Sequence, residues 1–270
     1  MSAARVLDRS LFFGGAAILA VWVLVPFYLI VTSAFTPQPQ ILDYPKPLVP
    51  SSLSTATLRF FVESSGIIPS VLNSLIVALF AIVFGVGLGA PAGYALARFR
   101  FRGRGTFQAV VLVAKMFPIA ILAIPLAVTF LQLGLYDSLV GVALVHAAIA
   151  IPFVILVVGG AFVAVSHEIE EAAETLGASR WNAFIRVALP PALPGLAAAA
   201  IFTFVISWNE VFAASILTVR MRTLPAQVFA SLSTSPLAFK FVAGLVMVLP
   251  AVVLIVLIRR YLMNLWGPRG

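Results

Sequence analysis

Long apolar runs separated by short polar connections dominate the chain. Six of these runs are long enough to cross the hydrocarbon core of a bilayer, which takes roughly 20 apolar residues in a helix. Their approximate ranges are 11–35, 68–97, 107–133, 139–165, 193–217 and 241–262. The pattern predicts an all-α membrane protein with six transmembrane helices in a single domain over residues 1–270.

One long polar stretch, 166–190, interrupts the apolar runs between the fourth and fifth predicted spans. Its apolar residues recur at i, i+3, i+4 and i+7, in the order Ile169, Ala172, Ala173 and Leu176, and glutamates occupy the other faces. This spacing predicts a short amphipathic helix over 168–176. Ser166 is a candidate N-cap, and the glutamates lie near the helix N-terminus, where the helix dipole favours negative charge.

A turn and a second helix are predicted to follow. Glycine readily adopts the left-handed conformation that ends many helices, so we expect Gly177 to end the first helix. Ser179 can cap a second helix over 180–187, and Pro190 and Pro191 are predicted to close it. The polar stretch is therefore interpreted as a helix–turn–helix.

Composition supports a polytopic membrane protein. Hydrophobic residues make up 62% of the 270 residues, charged residues 10%, and the mean hydropathy is +1.13. The absence of cysteine excludes disulfides and thiolate metal sites. The net charge of +8 does not indicate a nucleic-acid partner, because the arginines stand at the ends of apolar segments.

The basic residues also predict an orientation, since cytoplasmic loops are enriched in lysine and arginine. Eleven lie on one side of the predicted spans: Arg5, Arg9, Arg98, Arg100, Arg102, Arg104, Arg180, Arg186, Arg259, Arg260 and Arg269. Five lie on the other side: Lys46, Arg59, Arg220, Arg222 and Lys240. We therefore expect both termini and the segment 166–190 to be cytoplasmic and the loops 36–66 and 218–240 to be external.

The polar stretch resembles a motif of a known family. Its residues are Glu171-Ala172-Ala173, then three residues, Gly177, nine residues, and Val187-Ala188-Leu189-Pro190. This is similar to the EAA loop of ABC-importer permeases, whose pattern runs EAA-x3-G-x9-I-x-L-P. The chain departs from the pattern only at Val187, where isoleucine is usual, and the two side chains are close in volume.

Further segments resemble the carbohydrate-uptake permeases of the maltose-transporter type. They are Asn73-Ser74, Ala95-Leu-Ala-Arg98-Phe, Lys115-Met-Phe-Pro118, Leu133-Gly-Leu-Tyr-Asp137, Ile151-Pro-Phe153 and Phe202-Thr-Phe-Val-Ile-Ser-Trp-Asn-Glu210. The likeness covers about 11–262. It implies the type I ABC importer permease fold, a role as half of a translocation path, and a sugar such as an oligosaccharide or glycoside as substrate. A polyol or glycerol phosphate is the alternative substrate.

The resemblance also implies a location in a bacterial cytoplasmic (inner) membrane and a set of partners. These are a second homologous permease, two ATP-binding subunits, an extracytoplasmic sugar-binding protein and the lipid bilayer. The chain has no G-x-x-x-x-G-K-[ST] phosphate loop, so ATP and magnesium are expected on the partner subunits and no cofactor on this chain.

Two sets of site residues follow. The family likeness assigns contact with an ATP-binding subunit to Glu171, Ala172, Ala173, Leu176, Gly177, Trp181, Leu189 and Pro190. The proposed substrate path comprises Lys115, Trp208, Asn209, Glu210 and Asn73. A buried charge in a span is usually functional or paired, and Glu210 is the nearest candidate counter-charge for Lys115.

The path residues leave a structural alternative open. Lys115 can instead snorkel or pair structurally, and Trp208 can belong to the aromatic belt at the membrane interface. An enzyme would need a polar catalytic set, whereas His146 lies alone in an apolar span and His167 stands at the first turn of the polar helix. An ion-coupled carrier would be expected to show paired intramembrane acids and an inverted repeat, and neither pattern is found in the sequence.

Overall fold

The structure is a computed structural model that describes residues 3–45, 47 and 49–266, without the side chains of 3–8, 10 and 257–266. Over these residues the regular elements are helical. The first six α-helices are α1 Ala3–Ala34, α2 Ala56–Glu63, α3 Ile67–Arg98, α4 Arg104–Ala114, α5 Ile119–Leu133 and α6 Leu139–Val163. The rest are α7 His167–Thr175, α8 Arg180–Ala183, α9 Leu189–Asn209, α10 Phe212–Leu217, α11 Leu224–Ser231 and α12 Leu237–Trp266. A 3₁₀ turn at Gln38–Gln40 and a π-helical segment at Phe184–Ala188 complete the order.

Five helical segments of the described chain are long and apolar enough to cross a membrane. They are Leu11–Ala34, Ile67–Arg98, Leu139–Val163, Arg180–Asn209 and Leu237–Val256. A sixth span is present if α4 and α5 are counted together. The expected all-helical membrane protein is confirmed.

The third predicted span, 107–133, is not one straight helix. It is divided into α4 and α5, whose axes meet at 92°. The break lies at Lys115–Pro118, where proline cannot donate a backbone hydrogen bond and its ring disfavours a helical conformation at Phe117. The segment is therefore divided at the proline, although its apolar pattern is continuous.

The described residues divide into two compact units, one within 1–65 and 231–249 and the other within 66–230 and 250–266. In the first unit, α2 packs Phe61 against Phe239 of α12, with ring centroids 4.9 Å apart.

The core of the second unit is built around α6. Six residues of this helix are fully buried at intervals of four: Val142, His146, Ala150, Val154, Val158 and Phe162. Helix α3 places Gly85, Gly89 and Gly93 at the same interval. Because rows of residues four apart form ridges and small residues allow close approach, the two helices pack tightly.

The end of the helix–turn–helix differs from the prediction. Pro190 and Pro191 do not close a helix at 187, because the helical path continues from Arg180 to Asn209. Both prolines stand at the start of α9, directly after the π-helical segment. There the backbone N–H of Leu189 bonds to Phe184 O, five residues back, and this wider turn accommodates the missing proline donors.

Candidate functional site

The helix–turn–helix has the local geometry that its sequence predicts. Ser166 Oγ accepts a hydrogen bond from Glu168 N at 3.3 Å, and Ser179 Oγ accepts one from Asn182 N at 3.3 Å. Between the two helices, Gly177 adopts a φ of +93°. The chain therefore turns sharply there without a steric penalty, because glycine has no Cβ.

The turn exposes apolar side chains, which we call the tip surface: Ala172, Leu176 and Trp181. Leu176 is 89% exposed and Trp181 68% exposed. Glu171 is also exposed, with its carboxylate 3.6 Å from His167 on the same helix. Of the remaining predicted contact residues, Ala173 and Leu189 are half-buried and Pro190 is exposed.

The fold buries Glu170, which is next to the predicted Glu171 in the sequence. Only 3% of Glu170 is exposed. Its carboxylate accepts hydrogen bonds from Arg98 and, at 2.8 Å, from the Tyr94 hydroxyl. Arg98 Nη2 also donates to the backbone oxygen of Val165 at 2.9 Å. From the sequence, Arg98 entered only the predicted orientation and the family likeness, because its partner lies far away along the chain.

Lys115 stands at the break between α4 and α5 and is exposed. Its Nζ lies 5.6 Å from the ring centroid of Phe153, a distance typical of a cation–π contact. Phe153 in turn stacks on Phe202, with centroids 3.5 Å apart. A cation and an aromatic pair from three parts of the fold therefore meet at the broken span.

Glu210, the expected counter-charge of Lys115, is engaged elsewhere. Its carboxylate lies 3.2 Å from His146 Nε2 and accepts hydrogen bonds from the N–H groups of Ala213 and Ala214 at the start of α10. His146 Nδ1 lies 2.8 Å from Ser207 Oγ. Glu210 thus caps α10 and pairs with His146, a buried residue of α6.

The other predicted path residues occupy different surroundings. Trp208 is only 2% exposed and stacks on Phe204, with centroids 5.7 Å apart. Asn209 is exposed and donates to Val205 O at 2.9 Å. Asn73 donates to Arg222 O at 3.0 Å. Over the described residues, no hydrogen bond or ion pair joins Lys115 to any of the other predicted path residues.

Asp137 holds the loop that follows α10. Asp137 adopts a positive φ of +54°. Its Oδ1 accepts hydrogen bonds from the backbone N–H groups of Val219, Arg220 and Met221, at 2.8, 2.9 and 3.0 Å. Slight burial alone would raise the pKa of the Asp137 carboxyl. The three backbone donors outweigh it and hold the pKa below its ordinary value.

Asn73 and Ser74 secure the far end of the same loop, since Leu224 N donates to Ser74 Oγ at 2.7 Å. In the sequence, Ser74 and Asp137 stand out only as part of the family likeness. The loop contacts join residues more than 80 positions apart, which local patterns do not reveal.

Comparison with known proteins identifies the family. Residues 85–264 match the model of the binding-protein-dependent transport system inner membrane component. A diacetylchitobiose uptake system permease protein of Streptomyces coelicolor is 35% identical over 72% of this chain, and the match spans 65% of that protein's length. An inner membrane ABC transporter permease protein of Escherichia coli K12 is 30% identical over 96% of this chain and 94% of its own length.

A solved structure shares the fold. A chain from a bacterial ABC transporter involved in the import of the acidic polysaccharide alginate superposes with a TM-score of 0.76, covering 97% of this chain and 98% of that chain at 21% identity. Members of this family are non-catalytic membrane subunits. The chain therefore belongs to the family of inner membrane components of binding-protein-dependent ABC transport systems.

Proposed function

We propose that this chain forms half of the translocation path of an ATP-driven importer and receives its energy at the tip surface. The observation that carries the proposal is the exposed Leu176 and Trp181 on a well-capped helix–turn–helix. Exposed apolar side chains grouped at a polar turn are typical of a protein contact. The family match makes an ATP-binding subunit the expected partner.

The complete assembly in this proposal contains a second, homologous permease, two ATP-binding subunits and an extracytoplasmic binding protein. ATP and magnesium belong to the ATP-binding subunits. The contact set is the one predicted from the sequence: Glu171, Ala172, Ala173, Leu176, Gly177, Trp181, Leu189 and Pro190.

The orientation that this function needs places the tip surface and both termini in the cytoplasm. Arginine enrichment around 98–104 and at 180–186, on the same side as the tip surface, supports this orientation. The loop held by Asp137 and Asn73 then faces the extracytoplasmic side, where a binding protein would dock.

A sugar is the proposed substrate. Support comes from the diacetylchitobiose permease at 35% identity and from the aromatic pair Phe153–Phe202 beside Lys115, because sugars bind flat aromatic faces together with polar or charged groups. Within the path, Lys115 and the exposed Asn209 are proposed to meet the substrate directly. The proposed roles of Asn73, Trp208 and Glu210 are to shape its walls, since their contacts are made within the protein.

A phosphorylated polyol is the second candidate, and the observation that favours it is the exposed ammonium of Lys115 at the broken span. A cation is a common phosphate-binding group, whereas a neutral sugar does not require one. The two candidates differ in how strongly transport should depend on this charge.

The test uses the complex purified through this chain from its own membranes and reconstituted with its binding protein. We expect neutral oligosaccharides to stimulate ATP hydrolysis and uptake in the wild-type complex. Lys115→Gln should reduce uptake severalfold, and the matched variant Lys240→Gln should not. Stimulation by glycerol phosphate alone would favour the second candidate, and ATP-independent uptake would contradict the proposed function.

A further inference from the structure

A buried ion pair ties α7 to the C-terminal end of α3. The side chains of Arg98 and Glu170 are 6% and 4% exposed. Arg98 Nε donates a hydrogen bond to Glu170, and Nη2 forms an ion pair with the same carboxylate oxygen. Nη2 also donates to Val165 O in the connection that leads from α6 to α7. One guanidinium therefore fixes both α7 and the connection that precedes it.

Tyr94, one turn before Arg98, joins two more elements to this point. Its hydroxyl donates to the second oxygen of Glu170 at 2.8 Å. Its ring lies 5.0 Å from Phe162 of α6 and 4.6 Å from Phe184, centroid to centroid. Phe184 is the first residue of the π-helical segment that follows α8. Four parts of the structure therefore meet at Tyr94 and Glu170.

The contacts continue in both directions from this junction. Towards solvent, Phe184 packs on Trp181 of the tip surface, with centroids 5.7 Å apart. Towards the core, Gly93 packs so closely on α6 that an added Cβ would lie 2.9 Å from Gly159 N. A continuous series of packed groups thus leads from the tip surface to the α3–α6 interface.

We propose that Arg98 and Tyr94 are positioning residues that transmit displacement of α7 to α3 and α6 during transport. This inference rests on the proposed function, in which an ATP-binding subunit moves the tip surface. A forked charge-assisted hydrogen bond resists displacement in a defined direction, whereas apolar packing allows sliding. The junction is therefore suited to moving α7 and α3 as one body.

Two substitutions separate the geometry of the hydrogen bonds from the charge and the ring packing. Lysine at position 98 retains a positive charge beside Glu170 but lacks the planar fork that reaches Glu170 and Val165 together. Phenylalanine at position 94 retains the ring contacts with Phe162 and Phe184 and removes only the hydroxyl. Both variants preserve most of the packing while weakening the link to α7.

The experiment compares Arg98→Lys, Tyr94→Phe and their double variant in the reconstituted complex. Arg100→Lys is the matched control, because Arg100 is exposed two residues beyond the ion pair. Three quantities are measured: the amount of co-purified ATP-binding subunit, the rate of ATP hydrolysis, and the substrate transported per ATP hydrolysed.

We expect Arg98→Lys and Tyr94→Phe to assemble like the wild type and to transport about fivefold less substrate per ATP. This factor is at the low end of the affinity changes by which two coupled sites influence each other. The double variant should lose less than the product of the two single losses, because both groups act on one carboxylate. Arg100→Lys should match the wild type.

Wild-type transport per ATP in both single variants would overturn the inference and leave the proposed function intact. A loss that only follows the amount of assembled complex would also overturn it, because the junction would then serve stability alone. Absence of ATP-dependent transport in the wild-type complex would instead contradict the proposed function itself.

Discussion

At the scale of single residues, Gly177 is a position where the backbone conformation alone favours glycine. Its φ is +93°, and an added Cβ would meet no atom within 4 Å. A substitution there is therefore penalised by backbone strain and not by collision within this chain. This is also a residue whose conformation could be predicted from sequence, because a left-handed turn between two amphipathic patterns is a local property.

We predict that Gly177→Val destabilises the turn by roughly 1–3 kcal/mol, since β-branched residues resist a positive φ. Gly177→Asn should have a much smaller effect, because asparagine tolerates this region. Transport and ATP hydrolysis of the two variants, measured at equal membrane abundance, test the prediction. Equal activity of both variants would show that the left-handed turn is not needed.

Asp137 gives a residue-scale prediction that depends on pH. Its pKa is lowered in the folded chain, so its contribution to stability is present above the ordinary pKa of an aspartate and is lost as the pH falls through the lowered value. Asp137→Asn keeps an acceptor oxygen and tolerates the positive φ, whereas Asp137→Gly keeps only the φ.

We expect proteolysis within 218–224 to be faster in Asp137→Gly than in Asp137→Asn at neutral pH. The wild type should approach the asparagine variant as the solution is made strongly acidic. Cleavage rates with an acid-stable protease at several pH values provide the measurement. Identical neutral-pH cleavage in the wild type and Asp137→Gly would show that the carboxylate does not hold this loop.

At the scale of elements, the packing of α3 on α6 depends on close backbone approach. A Cβ at Gly93 would lie 2.9 Å from both Gly159 N and Ile155 O, which are backbone atoms that cannot move aside cheaply. At Gly87, on the same helix, an added Cβ would have no atom within 4 Å. The two glycines therefore form a matched pair.

We predict that Gly93→Ala lowers the stability of the chain by about 1–3 kcal/mol, the usual cost of overpacking. Gly87→Ala should be neutral or slightly stabilising, because alanine favours the helix. Thermal unfolding of the two variants in the same detergent is the measurement. Equal melting temperatures would contradict the close α3–α6 contact.

The elements also show where sequence patterns fail. Pro190 and Pro191 predicted a helix end, yet the π-helical segment before them lets the helix continue, and this wider turn leaves no simple signal in the sequence. Pro118 does stand at a break between two helices, whereas Pro125 and Pro152 lie inside continuous helices. The same residue type therefore had opposite effects in two backbone contexts.

Long-range pairs were equally inaccessible from the sequence. The glutamates of α7 form an amphipathic pattern that distinguishes them from the apolar face but not from one another. Only the fold shows that Glu170 meets Arg98 and that Glu171 faces solvent. The predicted pairing of Lys115 with Glu210 was wrong, because Glu210 pairs with His146.

At the scale of the whole molecule, the proposed orientation gives a direct prediction. The chain contains no cysteine, so Thr175→Cys and Tyr44→Cys each introduce a single reactive site at an exposed position. In sealed cells, an impermeant thiol reagent should label position 44 and leave position 175 unlabelled until the cells are opened. The reverse pattern would place the tip surface outside and remove it from any source of ATP.

The central claim is that the tip surface contacts an ATP-binding subunit. A photoactivatable cross-linker attached at Leu176→Cys, where the side chain is 89% exposed, tests this contact in native membranes. Mass spectrometry of the cross-linked product should identify an ATP-binding subunit, and the same linker at Tyr44→Cys should not capture it. Efficient labelling at position 176 without any adduct to an ATP-binding subunit would contradict the claim.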